Sequence, residues 1–249
     1  MEANALVTEL RRRPAGERVF TALDVPDAGA ALALAERLGP AARSVKVGMQ
    51  LFTAAGPDVV RALRARGLEV FLDLKYHDIP NTVAGAVRSA AALGVEYLTL
   101  HAGGGRRMLE AAVTAAREAE AEHGRRPVLL AVTVLTSLTL EDLDEVAPGG
   151  GPLPDRLARL ARTAAAAGCD GLVCSPADLP LLRDAVGDAL LKVTPGVRPA
   201  GGDLGDQRRV TTPAEALAGG ADFLVVGRPI TGAPDPAAAL AAIAKELSS

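Results

Sequence analysis

The chain is short of the residues that usually mark a specialised surface. It has no tryptophan, and aromatic residues make up 2% of its 249 positions. That scarcity argues against a stacking platform for nucleic-acid bases. Two cysteines, Cys169 and Cys174, are too few for a disulfide scaffold or a structural zinc site, and they read as ordinary buried thiols. No run of about 18 apolar residues exists, so no membrane span is expected. The opening stretch MEANALVTELRRRPAGER carries charges where a secretory signal needs an apolar core, which makes the cytoplasm the expected location. Twenty-seven Lys+Arg against 30 Asp+Glu leave a formal net charge of −3, so neither nucleic acid nor an anionic membrane is an expected partner. Lysine itself is rare, four residues against 23 arginines. The positions of Lys46, Lys75, Lys192 and Lys245 are therefore informative.

Apolar residues are abundant, at 49% of the chain, which is ample for a large core. Short β-branched or apolar runs alternate with Ala/Leu/Arg-rich segments of helical period. Strands are expected near Val19–Val25, Ser44–Met49, Glu69–Lys75, Tyr97–His101, Val128–Leu135, Gly171–Cys174, Leu191–Thr194 and Phe223–Val226. Helices are expected near Asp27–Leu38, Pro57–Arg66, Asn81–Leu93, Arg106–His123, Pro154–Ala167, Ala177–Val186, Pro213–Ala218 and Pro236–Leu247. Gly39, Gly67, Gly94 and Gly168 stand where helices would stop. Eight strand–helix units in one α/β chain of this length are the count for a single (β/α)8 TIM barrel. A doubly wound sheet is the competing arrangement, since spacing alone does not show closure. No linker divides the chain, so residues 1–249 are read as one catalytic domain. Within it, residues 1–17 form an N-terminal extension packed across the barrel. Gly149–Pro154 and Pro199–Asp206 read as long loops.

Strands buried on both faces should be almost wholly apolar, so their charged positions stand out. Asp24 ends the first strand, Lys46 lies in the second, and Asp73 and Lys75 end the third. Alternation puts Phe71, Asp73 and Lys75 on one face of the third strand and Val70, Leu72 and Leu74 on the other. The aliphatic face suits the helices. The charged face then looks into the C-terminal mouth, where barrel enzymes hold their active sites. Charges in that position must pair with one another, and a structural ion-pair network is the alternative explanation. Flanking carboxylates should keep Lys75 protonated, making it a proton donor rather than a nucleophile. The eighth strand runs into Gly227-Arg228-Pro229, in the region where barrels often bind phosphate. The stretch after the seventh strand, through Arg198 to Asp206-Gln207-Arg208-Arg209, reads as a lid that orders over ligand. Of the histidines, His123 falls in a helix tail, His77 lies between Lys75 and Asp78, and His101 ends the fourth strand, where it can face the mouth. They make no facial metal set with the acids, and no metal is expected.

The segment DLKYHDIPNT, Asp73–Thr82, closely resembles the central motif of the orotidine 5′-phosphate decarboxylase family. The resemblance extends to ALDVP at Ala22–Pro26, VKVG at Val45–Gly48, TVLTS at Thr133–Ser137, PGVRP at Pro195–Pro199, GDQRR at Gly205–Arg209 and VVGRPI at Val225–Ile230. These motifs fall in family order and cover nearly the whole barrel. Related sugar-phosphate lyases share the D-x-K-x-x-D core, and a metal-dependent lyase or decarboxylase of that kind is the rival reading. A phosphate-ligand binding barrel without catalysis is a second. The resemblance implies decarboxylation of orotidine 5′-monophosphate to uridine 5′-monophosphate, without metal or cofactor, at the last step of de novo pyrimidine synthesis. It implies that Lys75 donates the proton to C6, that Asp73 lies beside the departing carboxylate, and that Lys46 joins the same array on the ribose side. Asp24 would bind ribose hydroxyls, and Thr136 and Ser137 would contact the pyrimidine. Gln207 would bridge base and phosphate, with Arg198, Gly227 and Arg228 holding the phosphate. Asp78, Ile79 and Thr82 would reach across from a partner subunit, which implies a homodimer with shared sites.

Overall fold

The computed structural model describes residues 5–198 and 211–248. Eight parallel strands hydrogen-bond in sequence order and close on themselves, β1 pairing with both β2 and β8. They are β1 Val19–Ala22, β2 Ser44–Gly48, β3 Glu69–Tyr76, β4 Tyr97–His101, β5 Val128–Val132, β6 Gly171–Val173, β7 Leu191–Pro195 and β8 Phe223–Val226. The helices among the described residues are α1 Ala5–Arg11, α2 Ala28–Leu38, α3 Met49–Ala55, α4 Pro57–Arg64, α5 Pro80–Ala92, α6 Gly105–His123, α7 Leu140–Val146, α8 Leu153–Ala167, α9 Leu179–Val186, α10 Pro213–Ala218, α11 Arg228–Thr231 and α12 Pro236–Glu246. The architecture is a (β/α)8 barrel, and the doubly wound alternative falls because the sheet has no open edge. No helix among the described residues is long and apolar enough to cross a membrane.

Alternation along the strands sorts side chains into two cores. Val45, Val47, Val70, Leu72, Leu98 and Leu100 face outward and pack under the helices. Inside the barrel, the scarce aromatics gather in one layer. Phe20, Phe71, Tyr97 and Phe223 come from β1, β3, β4 and β8, and the Phe20 ring lies 4.9, 4.7 and 5.2 Å from the other three. Contacts of this kind add about 0.5–1.5 kcal/mol per pair beyond area burial. Below this layer, α1 lays Val7 and Leu10 onto the same interior cluster. Arg11 binds Asp222 at 2.8 Å and Arg13 binds Glu69 at 2.7 Å, strapping the N-terminal segment to the lower rim.

The rim carboxylates follow a pattern. Glu96, Asp170 and Asp222, each just before an even-numbered strand, accept the backbone N–H of Val70, Leu129 and Lys192 in the preceding strand. Each also pairs with its own arginine, Arg64, Arg126 and Arg11 respectively.

Several boundaries differ from those expected. β1 ends at Ala22 rather than Val25, although Leu23 N–H still donates to the Lys46 carbonyl at 2.9 Å. β5 ends at Val132 rather than Leu135, because its neighbour β6 ends at Val173 and offers no further ladder. Helices α1, α3, α7 and α11 were not legible as helices. The first three have seven residues each and α11 four, too short for a periodic signal to stand clear.

Candidate active site

The third strand changes character halfway along. Up to Leu72 it is buried and regular, with Leu72 opposite Leu98. Tyr76 is opposite Leu100, so three residues of β3, Asp73 to Lys75, face the single residue Thr99 of β4. The surplus is absorbed by Lys75, the one non-glycine residue with positive φ (51°) among the described residues. A left-handed lysine costs about 1–3 kcal/mol and persists only where its surroundings over-determine it. Thr99 does much of that. Its hydroxyl accepts the Lys75 N–H at 2.9 Å and donates to Asp73 Oδ1 at 3.0 Å. Thr99 itself points inward, two residues after Tyr97, by ordinary strand alternation.

Three strands bring four charges together at the mouth. Lys75 Nζ donates to Asp73 Oδ1 at 2.9 Å. Lys46 Nζ, from β2, lies 3.4 Å from Asp73 Oδ2 and 3.4 Å from Asp24 Oδ1, just beyond β1. The order is therefore Asp24–Lys46–Asp73–Lys75. Burial opposes the charge on Asp73. The ammonium groups of Lys46 and Lys75, with hydrogen bonds from Lys75 and Thr99, outweigh it and hold this carboxyl below the usual aspartate range. Gly48 leaves room for the array, because a Cβ there would stand 3.1 Å from Lys46 Nζ.

Above β5 to β8, on the other half of the mouth, opens a cavity of about 1040 Å³ whose lining includes none of the four array residues. Thr136, Ser137, Pro195, Gly196 and Arg228 line it, so the expected base-side and phosphate-side residues share one space. Gly227 joins this half of the mouth to the charged half, since a Cβ there would come within 3.7 Å of Asp24 Oδ2. Arg198 is buried, and its backbone N–H donates to the Thr211 carbonyl at 3.1 Å. Gln207 and the GDQRR motif lie outside the described residues.

Asp78, Ile79 and Thr82 do not join the array within the chain. All three are exposed, Ile79 by 67%. The Asp78 carboxylate accepts the N–H of Ile79 at 2.6 Å and makes no ion pair among the described residues. His77 stacks on His101, the ring centroids 5.0 Å apart, which braces the turn between Lys75 and Asp78. Burial, then the neighbouring His77 and Lys75, push His101 below the usual histidine value. Neither the role of Thr99 nor the left-handed backbone of Lys75 is evident from the sequence. An inward-facing hydroxyl one strand away from an Asp-x-Lys was the available signal for Thr99, and a backbone twist has none.

A closed parallel barrel with lysines and aspartates interleaved at its C-terminal mouth defines a (β/α)8-barrel enzyme with a lysine–aspartate site. Comparison with known proteins makes this specific. Residues 17–243 match the family described as orotidine 5′-phosphate decarboxylase / HUMPS family. A relative named orotidine 5′-phosphate decarboxylase from Halorhodospira halophila is 56% identical, covering 95% of this chain and 98% of its own. One of the same name from Moorella thermoacetica is 53% identical, over 96% and 95%. The crystal structure of orotidine 5′-phosphate decarboxylase from Lactobacillus acidophilus superposes with a TM-score of 0.84 at 39% identity, covering 94% of this chain and all of that one. The chain belongs to the orotidine 5′-phosphate decarboxylase / HUMPS family.

Proposed function

We propose that the chain decarboxylates orotidine 5′-monophosphate to uridine 5′-monophosphate with its own side chains and without metal or organic cofactor. The observation that carries this reading is the Lys75 ammonium, 2.9 Å from a largely covered carboxylate that a second ammonium also approaches. The relatives that share most of the chain's length carry the name of that activity.

Loss of carbon dioxide from C6 leaves a carbanion with no conjugated sink. An ammonium held beside that carbon stabilises the developing charge, then delivers its proton there. In this reading Lys75 does both, its ammonium held by the hydrogen bond to Asp73 Oδ1 at 2.9 Å. Asp73 faces the carboxylate that departs. Asp24 and Lys46 hold the ribose, and Thr136 and Ser137 the base. Arg198, Gly227 and Arg228 hold the phosphate, together with Gln207. Binding energy from the phosphate, remote from the reacting carbon, is used to press the substrate carboxylate toward Asp73. The two lysines flank Asp73 where a bound cation would have to sit, which favours lysine chemistry over a metal-dependent lyase.

The exposure of Asp78, Ile79 and Thr82 supports a homodimer in which each subunit lends these three residues to its partner's mouth. The working partner is then the nucleotide and a second copy of the chain, in the cytoplasm, at the last step of pyrimidine synthesis.

The test follows the absorbance of orotidine monophosphate in the presence of EDTA-treated protein. Undiminished turnover supports the reading, and turnover that returns only with a divalent cation overturns it in favour of the lyase. Mixing Lys75→Ala with Asp78→Ala subunits should restore part of the activity that each lacks. No recovery in verified heterodimers would sink the shared site.

A further inference from the structure

A second cavity, of about 630 Å³, opens at the opposite end of the barrel, and the reaction proposed for the mouth makes no use of it. It lies between α1, the end of α9 and the segments leading into β7 and β8. Its volume is within the range of small-molecule sites, about 300–1,000 Å³. The charges lining it are Arg11, Arg12, Arg183 and Lys192 against Asp188 and Asp222.

Two of these six are already committed to each other. Asp222 accepts Arg11 at 2.8 and 3.3 Å and the Lys192 backbone N–H at 2.8 Å. Two further Arg11 donors go to the carbonyls of Asp188 and Leu190 at 2.7 and 2.9 Å. That leaves Arg12, Arg183 and Lys192 with Asp188 as the only other acid of the lining. Among the described residues none of the three makes an ion pair.

Lys192 is the decisive member. It is 3% exposed and sits on the outward face of β7, behind α9. Its ammonium donates to the Gly187 carbonyl at the end of α9, at 2.5 Å. An ammonium carries three N–H donors, and Lys192 makes no ion pair among the described residues, Asp222 and Asp188 acting on it only at longer range, so its burial is costly. Burial accordingly pulls the Lys192 pKa down, against the opposing pull of Asp222. A helix-capping role accounts for one donor and for neither arginine. An anion in the cavity would complete the remaining donors of Lys192 and meet the guanidinium forks of Arg12 and Arg183, which suit phosphate oxygens.

We propose that this lower cavity binds a phosphate-bearing anion, held by Lys192 from its buried wall and by Arg12 and Arg183 from its rim. The three cations come from β7, the residue that follows α1, and α9, so a bound anion ties the end of the plugging helix to the barrel wall. By linkage it then raises the melting temperature without contact with the mouth.

The test uses inorganic pyrophosphate as the probe, with calorimetric titration and thermal melting. The proteins are the unaltered chain, an Arg228→Ala variant and an Arg12→Gln/Arg183→Gln double variant. Both rim arginines are exposed, so the double variant keeps the fold. Pyrophosphate should bind Arg228→Ala and raise its melting temperature. The double variant should bind at least about tenfold more weakly and lose the thermal shift, with its decarboxylation rate unchanged. Absence of binding to Arg228→Ala, or equal binding by the double variant, overturns the proposal. Either result leaves the mouth reading untouched, because turnover is measured separately.

Discussion

At the lower rim of the barrel the carboxylates Glu69, Glu96, Asp170 and Asp222 all pair with arginines, whereas at the mouth Asp73 is shared by two lysines. Arginine is a planar fork that locks onto a carboxylate. Lysine is a flexible point charge able to give up a proton. In a chain with 23 arginines and four lysines, placing two lysines together at the mouth separates the end built for stability from the end built for chemistry. The aromatic layer divides the two. Beneath it lie α1 and the arginine pairs, and above it the Asp24–Lys46–Asp73–Lys75 order and the cavity on the other half of the mouth. The lower end also holds Lys192, a buried lysine that makes no ion pair among the described residues and caps the Gly187 carbonyl.

This division can be broken from either side. The largest effect is expected at the mouth. Lys75→Ala should lower turnover by about 10⁴-fold or more, since in the proposed reaction one group supplies both charge stabilisation and the proton. Its melting temperature and its binding of uridine monophosphate should change little. Steady-state kinetics and calorimetry check this, and near-normal turnover would remove Lys75 from its role.

A break in the aromatic layer should do the reverse. Phe20→Ala removes the ring that touches the three others, and should cost about 3–5 kcal/mol of stability in urea unfolding. The fraction that remains folded should keep its kcat. A large fall in kcat at constant folded fraction would show that the two ends are not separate.

The smallest effect sharpens the boundary itself. Thr99→Val removes the donor to Asp73 and the acceptor of the Lys75 N–H, at about 1–3 kcal/mol for the unmet partners. Asp73 has a folded pKa below its ordinary value. Its contribution to stability is therefore complete above that ordinary value and is lost as pH falls through the lowered one. Without the Thr99 hydrogen bond the lowered pKa should rise. The acid limb of the pH–rate profile should move to higher pH, with kcat falling more than KM rises. An unmoved acid limb would show that the two lysines alone set Asp73.

The barrel was legible because eight apolar runs alternate with helical segments at the right spacing. The charged half of the mouth was legible because Asp24, Lys46, Asp73 and Lys75 interrupt strands that should be apolar. Glycine and proline signals located most helices, and the Asp27 cap of α2 is an example, its side chain accepting the Ala30 N–H at 2.8 Å. The short helices α1, α3, α7 and α11 lacked enough turns to show a period. The cavity above β5 to β8 was not legible, because it depends on where the chain leaves β5 after its ladder with β6 runs out.

Local pattern, read along the chain, determined which residues are strand and helix, and which charges stand where none should be. It did so because burial on both faces of a parallel strand forbids charge except at a site. Only closure of the sheet decided that Thr99 would stand opposite a three-residue bulge, that Lys75 would turn left-handed, and that Lys46 would reach two aspartates at once. Those are relations between neighbouring strands, set by register and by the space available inside a closed ring, and no stretch of a single strand contains them.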